Sequence, residues 1–140
     1  MGRRQIFSFH IAGDIPELQS LHIQMMDHSL CTLIEADVAV IPHESMRDPT
    51  ARCPGIAATL WRDTLIDSAT FREWMVGMGR RSAFQRVAYL FCEAHLKLQG
   101  VGLAGSFRCP LQVTQVDLSD ALGLSNVHVN RVLQSCVARA

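Results

Sequence analysis

The stretch TQVDLSDALGLSNVHVNRVLQ, residues 114–134, carries the strongest fold signal in the chain. Thr114, followed three positions later by Asp117, approximates a capping box and predicts the start of a short helix. Gly123 then supplies a tight turn, and Ser125 caps a second helix of about ten residues. Helix, glycine turn and helix in this order form the helix-turn-helix arrangement, although an ordinary helical hairpin shares the pattern.

The side-chain pattern of the stretch indicates two crossed helices with one polar outer face. Ser119 is small at the point where the two backbones approach closely, and apolar residues stand where the helices must touch: Leu118, Leu122, Leu124, Val129 and Val132. The outward residues of the second helix are mostly polar and lie near its N-terminus, where a recognition helix meets base edges. They are Asn126, Val127, His128, Asn130 and Arg131.

The same stretch resembles the helix-turn-helix of the Crp/Fnr family of bacterial transcription regulators. In that family a Leu-Ser/Ala-Asp-Ala-Leu-Gly-Leu-Ser/Thr run leads into Val-His-Val-Asn-Arg. Upstream, GRRQIFSFHIAGDIPEL (residues 2–18) is similar to the middle of the family's β-roll sensor domain, and residues 54–78 fall where its dimerisation helix belongs. The resemblance covers nearly the whole chain and implies further strands before it and a wing hairpin after it. We therefore expect a chain truncated at both ends relative to the family.

The resemblance also implies roles in DNA binding for individual residues. Arg131 would read a guanine, while Asn126 and Val127 would occupy the other base-facing positions. Val127 departs from the family, which often has a carboxylate at this position. The base specificity of this chain should therefore differ from that of the family. Thr114 and Gln115 would hold phosphate at the N-terminus of the first helix. The remaining candidate DNA-binding residues are Ser125, which caps the second helix, and His128 and Asn130.

The N-terminal part of the chain is predicted to form β-strands. Alternating apolar and polar residues over 4–12 predict a strand, and residues 30–33 and 38–41 predict two more. The predicted fold class is α+β: a partial β-roll of the cyclic-nucleotide-binding jelly-roll kind, a long dimerisation helix and a winged-helix-like helix-turn-helix without its wing. The predicted domains are 1–53, 54–79 and 80–140.

Two longer helices are predicted between these parts. An apolar stripe over 54–78 indicates a long helix that packs either against its twin in a homodimer or against the chain's own β part. A second helix is predicted over 82–98. Cys92 and His95 on it could share a metal, but two ligands are too few and such residues usually pack in a core, so no metal or other cofactor is expected.

The predicted effector pocket departs from the family pattern. The family's cyclic-nucleotide pocket has a glycine beside a glutamate and, about ten residues on, an arginine followed by a small hydroxyl residue. Here Glu17 follows Pro16, and the later position is occupied by His28 and Ser29. Proline lacks an amide donor and histidine lacks a permanent charge, which argues against cyclic AMP and leaves any effector unidentified.

Composition narrows the functional classes further. The net charge is zero, but residues 1–50 hold 3 basic and 7 acidic side chains whereas residues 51–140 hold 10 and 6. Residues 51–140 could therefore bind a polyanion, although arginines that only face solvent would give the same count. No apolar run reaches the roughly 18 residues that span a bilayer, and the N-terminus resembles no secretory signal, so a cytoplasmic location is expected.

The functional prediction is a homodimeric, sequence-specific regulator that binds double-stranded DNA. The alternative is a truncated interaction module that pairs with another regulator and does not bind DNA by itself. An enzyme is not expected, because the six histidines are scattered and no nucleophile and base stand at a suggestive spacing.

Overall fold

A computed structural model describes residues 4–138 of the chain. Within this range it contains one 3₁₀ helix, Leu18–Leu21, and five α-helices: α1 His43–Arg52, α2 Pro54–Arg80, α3 Ala83–Gly100, α4 Gln115–Leu122 and α5 Asn126–Val137. The chain divides into two compact units. The first unit comprises residues 1–14 and 71–140, described over 4–14 and 71–138, and the second unit comprises residues 15–70.

The core of the first unit lies where α3, α4 and α5 pack together. Val87 of α3 and Val129 of α5 are fully buried at its centre, and Trp74 closes it from the last turns of α2. The other buried members of this core are Leu90, Leu118, Ala121, Leu122 and Val132. Burial of this apolar surface is the main favourable contribution to the stability of the unit.

Local sequence signals explain where the helices of the first unit begin. Ser82 caps α3 through a capping box, since its hydroxyl accepts from the backbone N–H of Gln85 and the Gln85 side chain accepts from the backbone N–H of Ser82. The helices predicted from 54, 82, 114 and 125 are all present, with ends that agree to within about two residues.

The predicted α+β fold class, with its partial β-roll, is wrong. The described residues contain no strand and no sheet, and the one bridge among them pairs Gly105 with Arg108 inside a tight turn. Residues 30–33 and 38–41 form no strand, and Val40 is 90% exposed. The physical reason is the lack of further strands to pair with, because short isolated strands leave their backbone groups unsatisfied.

Backbone groups of the N-terminal segment, residues 4–14, form hydrogen bonds to residues of helices and not to strands. The backbone N–H of Ile6 donates to the carbonyl of Asp120 (3.2 Å), and Lys97 Nζ donates to the carbonyl of Phe9 (3.0 Å). The Phe9 ring lies edge-on to the Trp74 ring, with 6.0 Å between centroids. Ile6 and Phe9 pack against the helical core, so the apolar residues of this segment pack on helices rather than on one face of a sheet.

The second unit contains a helix that the sequence pattern did not predict. Helix α1 is polar, holds Pro49 and buries no residue, so it lacks the apolar period that identifies a helix. An ion pair between Asp48 and Arg52, one turn apart, supports it (3.1 Å), and Ser20 Oγ lies 3.0 Å from His43 Nε2 at its start.

The predicted domain boundaries at 53 and 79 stay predictions. The predicted first and last domains include residues 1–3 and 139–140, which lie outside the described residues.

Two valines of α5 provide a test of this packing. Val129 is fully buried and Val137 is 78% exposed. We expect Val129→Ala to lower the free energy of unfolding by about 2 kcal/mol, because it removes buried methyl groups and leaves a cavity. Val137→Ala should change it by less than about 0.5 kcal/mol. Urea unfolding of both variants measures this, and equal effects would contradict the assigned core.

Candidate nucleic-acid interface

The first helix of the motif, α4, begins with a complete capping box. Thr114 Oγ1 accepts from the backbone N–H of Asp117 (3.1 Å). Asp117 Oδ2 in turn accepts from the backbone N–H (3.0 Å) and the hydroxyl (2.6 Å) of Thr114. These bonds provide partners for backbone N–H groups at the start of α4, which have no acceptor within the helix. They also fix the direction in which the chain enters α4.

Hydrogen bonding and burial together govern the protonation of Asp117. Donation from the Thr114 hydroxyl is the largest cause that lowers the pKa of the Asp117 carboxyl, with smaller contributions from the Thr114 backbone and from Arg4. Burial acts in the opposite direction, but the net pKa lies below the usual value. Asp117 is therefore held as a buried carboxylate.

The turn between the two helices depends on Gly123. Its φ of 62° and ψ of 37° place it in the left-handed region, where residues with a Cβ are strained. The N–H groups of Gly123 and Leu124 both donate to the carbonyl of Ser119, which closes the C-terminus of α4.

Residues distant in sequence satisfy the last carbonyls of α4. The Asp120 carbonyl accepts from the backbone of Ile6, the Ala121 carbonyl from Gln5 Nε2 (3.3 Å) and the Leu122 carbonyl from Arg86 Nη1 (2.8 Å). Arg4 adds ion pairs from Nε to Asp120 Oδ2 (2.8 Å) and from Nη2 to Asp117 Oδ1. Sequence reasoning missed these contacts, because no local pattern links residues 4–6 or 86 to α4.

The second helix, α5, separates a buried face from a polar exposed face. Ser125 caps it by accepting from the backbone N–H of His128 (3.3 Å). Val129 and Val132 are buried in the core, and of the two residues between them Arg131 is exposed and Asn130 is half-buried. Asn126, Val127, His128 and Arg131 are exposed, as are Thr114, Gln115 and Ser125 at the helix starts.

Asn130 differs from the other predicted contact residues because it is half-buried. Its Nδ2 donates to Oε1 of Gln115 (3.3 Å), which joins the start of α4 to α5. Arg131 lines an open groove with Ser82 and Gln85 at the start of α3. Apart from the half-buried Asn130, the predicted DNA-binding residues thus lie on exposed surface of one motif, and their roles stay predictions.

The predicted effector residues lie in the second unit, on irregular structure. Glu17 precedes the 3₁₀ helix, and His28 and Ser29 follow it; all three are exposed. His28 Nδ1 lies 2.8 Å from Oδ1 of Asp27. The β-roll on which this pocket prediction depended is not present in the described residues.

Clusters of three or more His, Cys, Asp or Glu that could hold a metal do not occur among residues 4–138. His95, one member of the predicted pair, is stacked on the ring of Phe107, with 6.5 Å between centroids. Over the same residues, every helix is too short or too polar to span a membrane.

Comparison with known proteins shows a similarity to a protein named as a transcription regulator. The chain is 26% identical over 132 residues to a protein of Rhizobium leguminosarum bv. viciae named "Probable transcriptional activator". The match covers 93% of this chain and 53% of that protein, so the chain spans about half the length of the curated relative. No family model and no solved structure matches the chain. The similarity therefore suggests a transcription regulator and leaves the family undetermined.

Two glycines test the strain at the turn. Gly123→Ala should destabilise the chain by about 1 kcal/mol, because alanine is strained at its positive φ even though the space around it is open. Gly79→Ala, inside α2 and equally open, should be neutral or stabilising by up to about 1 kcal/mol because alanine favours helix. Thermal melts of both variants check this, and a stabilising Gly123→Ala would be inconsistent with the left-handed turn.

The low pKa of Asp117 predicts a pH-dependent contribution to stability. Because the carboxylate is favoured in the folded state, its contribution is present above the unfolded pKa of about 4 and is lost as pH falls through the lower folded value. Asp117→Asn should therefore cost about 1 kcal/mol at neutral pH and progressively less below about pH 4. Urea unfolding across a pH series measures the difference, with Asp63→Asn on the exposed side of α2 as control. A difference that is independent of pH would exclude this role for Asp117.

Proposed function

We propose that this chain is a DNA-binding transcription regulator in which α5 is the recognition helix. The observation that carries the proposal is the division of α5 between two faces. Val129 and Val132 anchor it in the core, while Asn126, Val127 and Arg131 are exposed beyond a capped N-terminus. A helix of this width fits the major groove, where its N-terminal residues meet base edges.

The chemistry of the exposed residues suggests how each would contact DNA. Arg131 can donate two parallel hydrogen bonds to O6 and N7 of a guanine, which would discriminate against other bases by about 1–3 kcal/mol. Asn126 can pair with an adenine edge, and Val127 can contact a thymine methyl group. Thr114 and Gln115 stand at the N-terminus of α4, where phosphate is favoured. The bond from Asn130 would hold the Gln115 side chain in place for such a contact.

Two similarities support the proposal. The helix-turn-helix stretch resembles that of Crp/Fnr regulators, and the curated relative is named as a probable transcriptional activator. We propose that the helix-turn-helix motif is of the Crp/Fnr type. We propose no cyclic-nucleotide effector. A regulator of this kind acts where chromosomal DNA lies, so a cytoplasmic location is part of the proposal.

Apolar residues on α2 motivate the proposed homodimer. In the first unit Phe71, Met75 and Val76 are between 41% and 54% exposed, and in the second unit Trp61 is 65% exposed. Such side chains are costly in water, and pairing with α2 of a second copy would bury them. Two recognition helices would then enter successive major grooves about 34 Å apart on a two-fold-symmetric site.

The same exposed residues also favour the second candidate function, in which α2 pairs with a different regulator and the chain does not bind DNA by itself. Selection of sites from random duplex DNA across a salt series separates the two. The proposal expects a two-fold-symmetric motif and affinity that falls steeply with salt. Weak binding without a motif would refute autonomous DNA recognition and favour the second candidate.

Arg131 gives the sharpest test of the recognition helix. We expect Arg131→Ala to relax selection at one base pair of each half-site, with a loss of discrimination of about tenfold or more. Arg131→Lys keeps the charge but loses the paired donors, so it should lose discrimination and keep more of the affinity for unrelated DNA. Arg52→Ala removes the same charge from α1 and serves as the control. Unchanged discrimination in Arg131→Ala would reject the assignment of α5.

A further inference from the structure

The charges of the helix-turn-helix motif are unusual for a segment that meets DNA. Residues 114–138 contain two acidic side chains, Asp117 and Asp120, and one basic side chain, Arg131. The motif alone therefore carries a net charge of −1 by this count. DNA phosphates repel nearby carboxylates, and at physiological salt this repulsion acts over about 8 Å.

Both carboxylates are held by one cation from outside the motif. Asp117 and Asp120 lie three residues apart, on one face of α4. The guanidinium of Arg4 reaches both, through Nη2 to Asp117 and through Nε to Asp120 at 2.8 Å. With Arg4 included, the net charge of the motif rises from −1 to zero.

The neighbouring residues keep Arg4 at this position. Gln5 and Ile6 donate to the carbonyls of Ala121 and Asp120, so the chain on one side of Arg4 is bonded to the last turn of α4. Ile6 also packs against the apolar core of the first unit. Residues 4–6 therefore form a strap across α4 that carries one positive charge to its two carboxylates.

We infer that Arg4 is a positioning residue of the DNA-binding site, which offsets one of the two negative charges of α4 so that this helix can approach the phosphate backbone. The inference rests on the proposed function and extends its site to a segment more than 100 residues away in sequence. The DNA-binding module then comprises the strap together with α3, α4 and α5. Release of the strap lowers affinity for all DNA sequences, whereas loss of Arg131 lowers discrimination between them.

The test compares Arg4→Gln with Arg52→Gln in the full chain, on duplex DNA carrying the selected motif. Arg52 is the matched control because it also pairs with an aspartate, Asp48, but lies on α1. We expect Arg4→Gln to bind about threefold to tenfold more weakly than the control at low salt, and the gap to close as salt screens the charges. Arg4→Lys, which keeps the charge, should retain most of the affinity.

A second variant separates charge from structure. Arg4→Gln combined with Asp120→Asn restores the net charge of the motif, so its affinity should recover even though the ion pairs are gone. Discrimination between the motif and a scrambled duplex should be unchanged in every Arg4 variant. Circular dichroism melts identify the variants that are folded at the binding temperature. If Arg4→Gln is unfolded, Asp120→Asn alone is measured, and it should bind more tightly than wild type at low salt.

The outcomes distinguish this inference from the proposed function. Equal binding by Arg4→Gln and Arg52→Gln, a loss that does not change with salt, or a failure of Asp120→Asn to recover or raise affinity would each overturn the role of Arg4 alone. A wild-type chain that binds no duplex in the same titration would overturn the proposed function, and this inference with it.

Discussion

The satisfaction of the last carbonyls of α4 is the constraint on which the first unit depends. A helix leaves its final carbonyl groups without partners inside the helix, and buried ones are costly unless another group donates to them. Here the donors come from three directions: Gly123 and Leu124 in the turn, Gln5 and Ile6 in the strap, and Arg86 on α3. The same few bonds therefore join the N-terminal segment, α3 and the motif into one core.

That constraint also determines which surface α5 exposes. Because the C-terminus of α4 is fixed and Gly123 has a single left-handed conformation, the chain can enter α5 in only one direction. Ser125 then starts the helix, and burial of Val129 and Val132 sets its rotation. This rotation leaves Arg131 exposed. The exposed face thus follows from packing on the opposite side, which leaves its residues free to vary for recognition.

Local and long-range features differed in how well sequence predicted them. The capping residues Thr114 and Ser125 were identified correctly because each acts through bonds within three residues. Residues 4–12 were misread as a strand, because a run of apolar and polar residues does not record whether its apolar side chains pack on a sheet or on helices. Helix α1 was missed since it buries nothing. The contacts of Arg4 and Arg86 link distant segments, and one sequence has no signal for such pairs.

A net charge of zero is compatible with DNA binding, because phosphates respond to the charges near them and not to the total. The seven acidic side chains of residues 1–50 lie outside α4 and α5, and α5 carries none. The two that belong to α4 also stabilise the fold: Asp117 completes the capping box, and Asp120 anchors the strap. Removing them would expose more positive potential but would weaken the helix that presents α5. Pairing them with Arg4 keeps their structural role and offsets half of their charge, which favours the approach of a stable motif to an anionic partner.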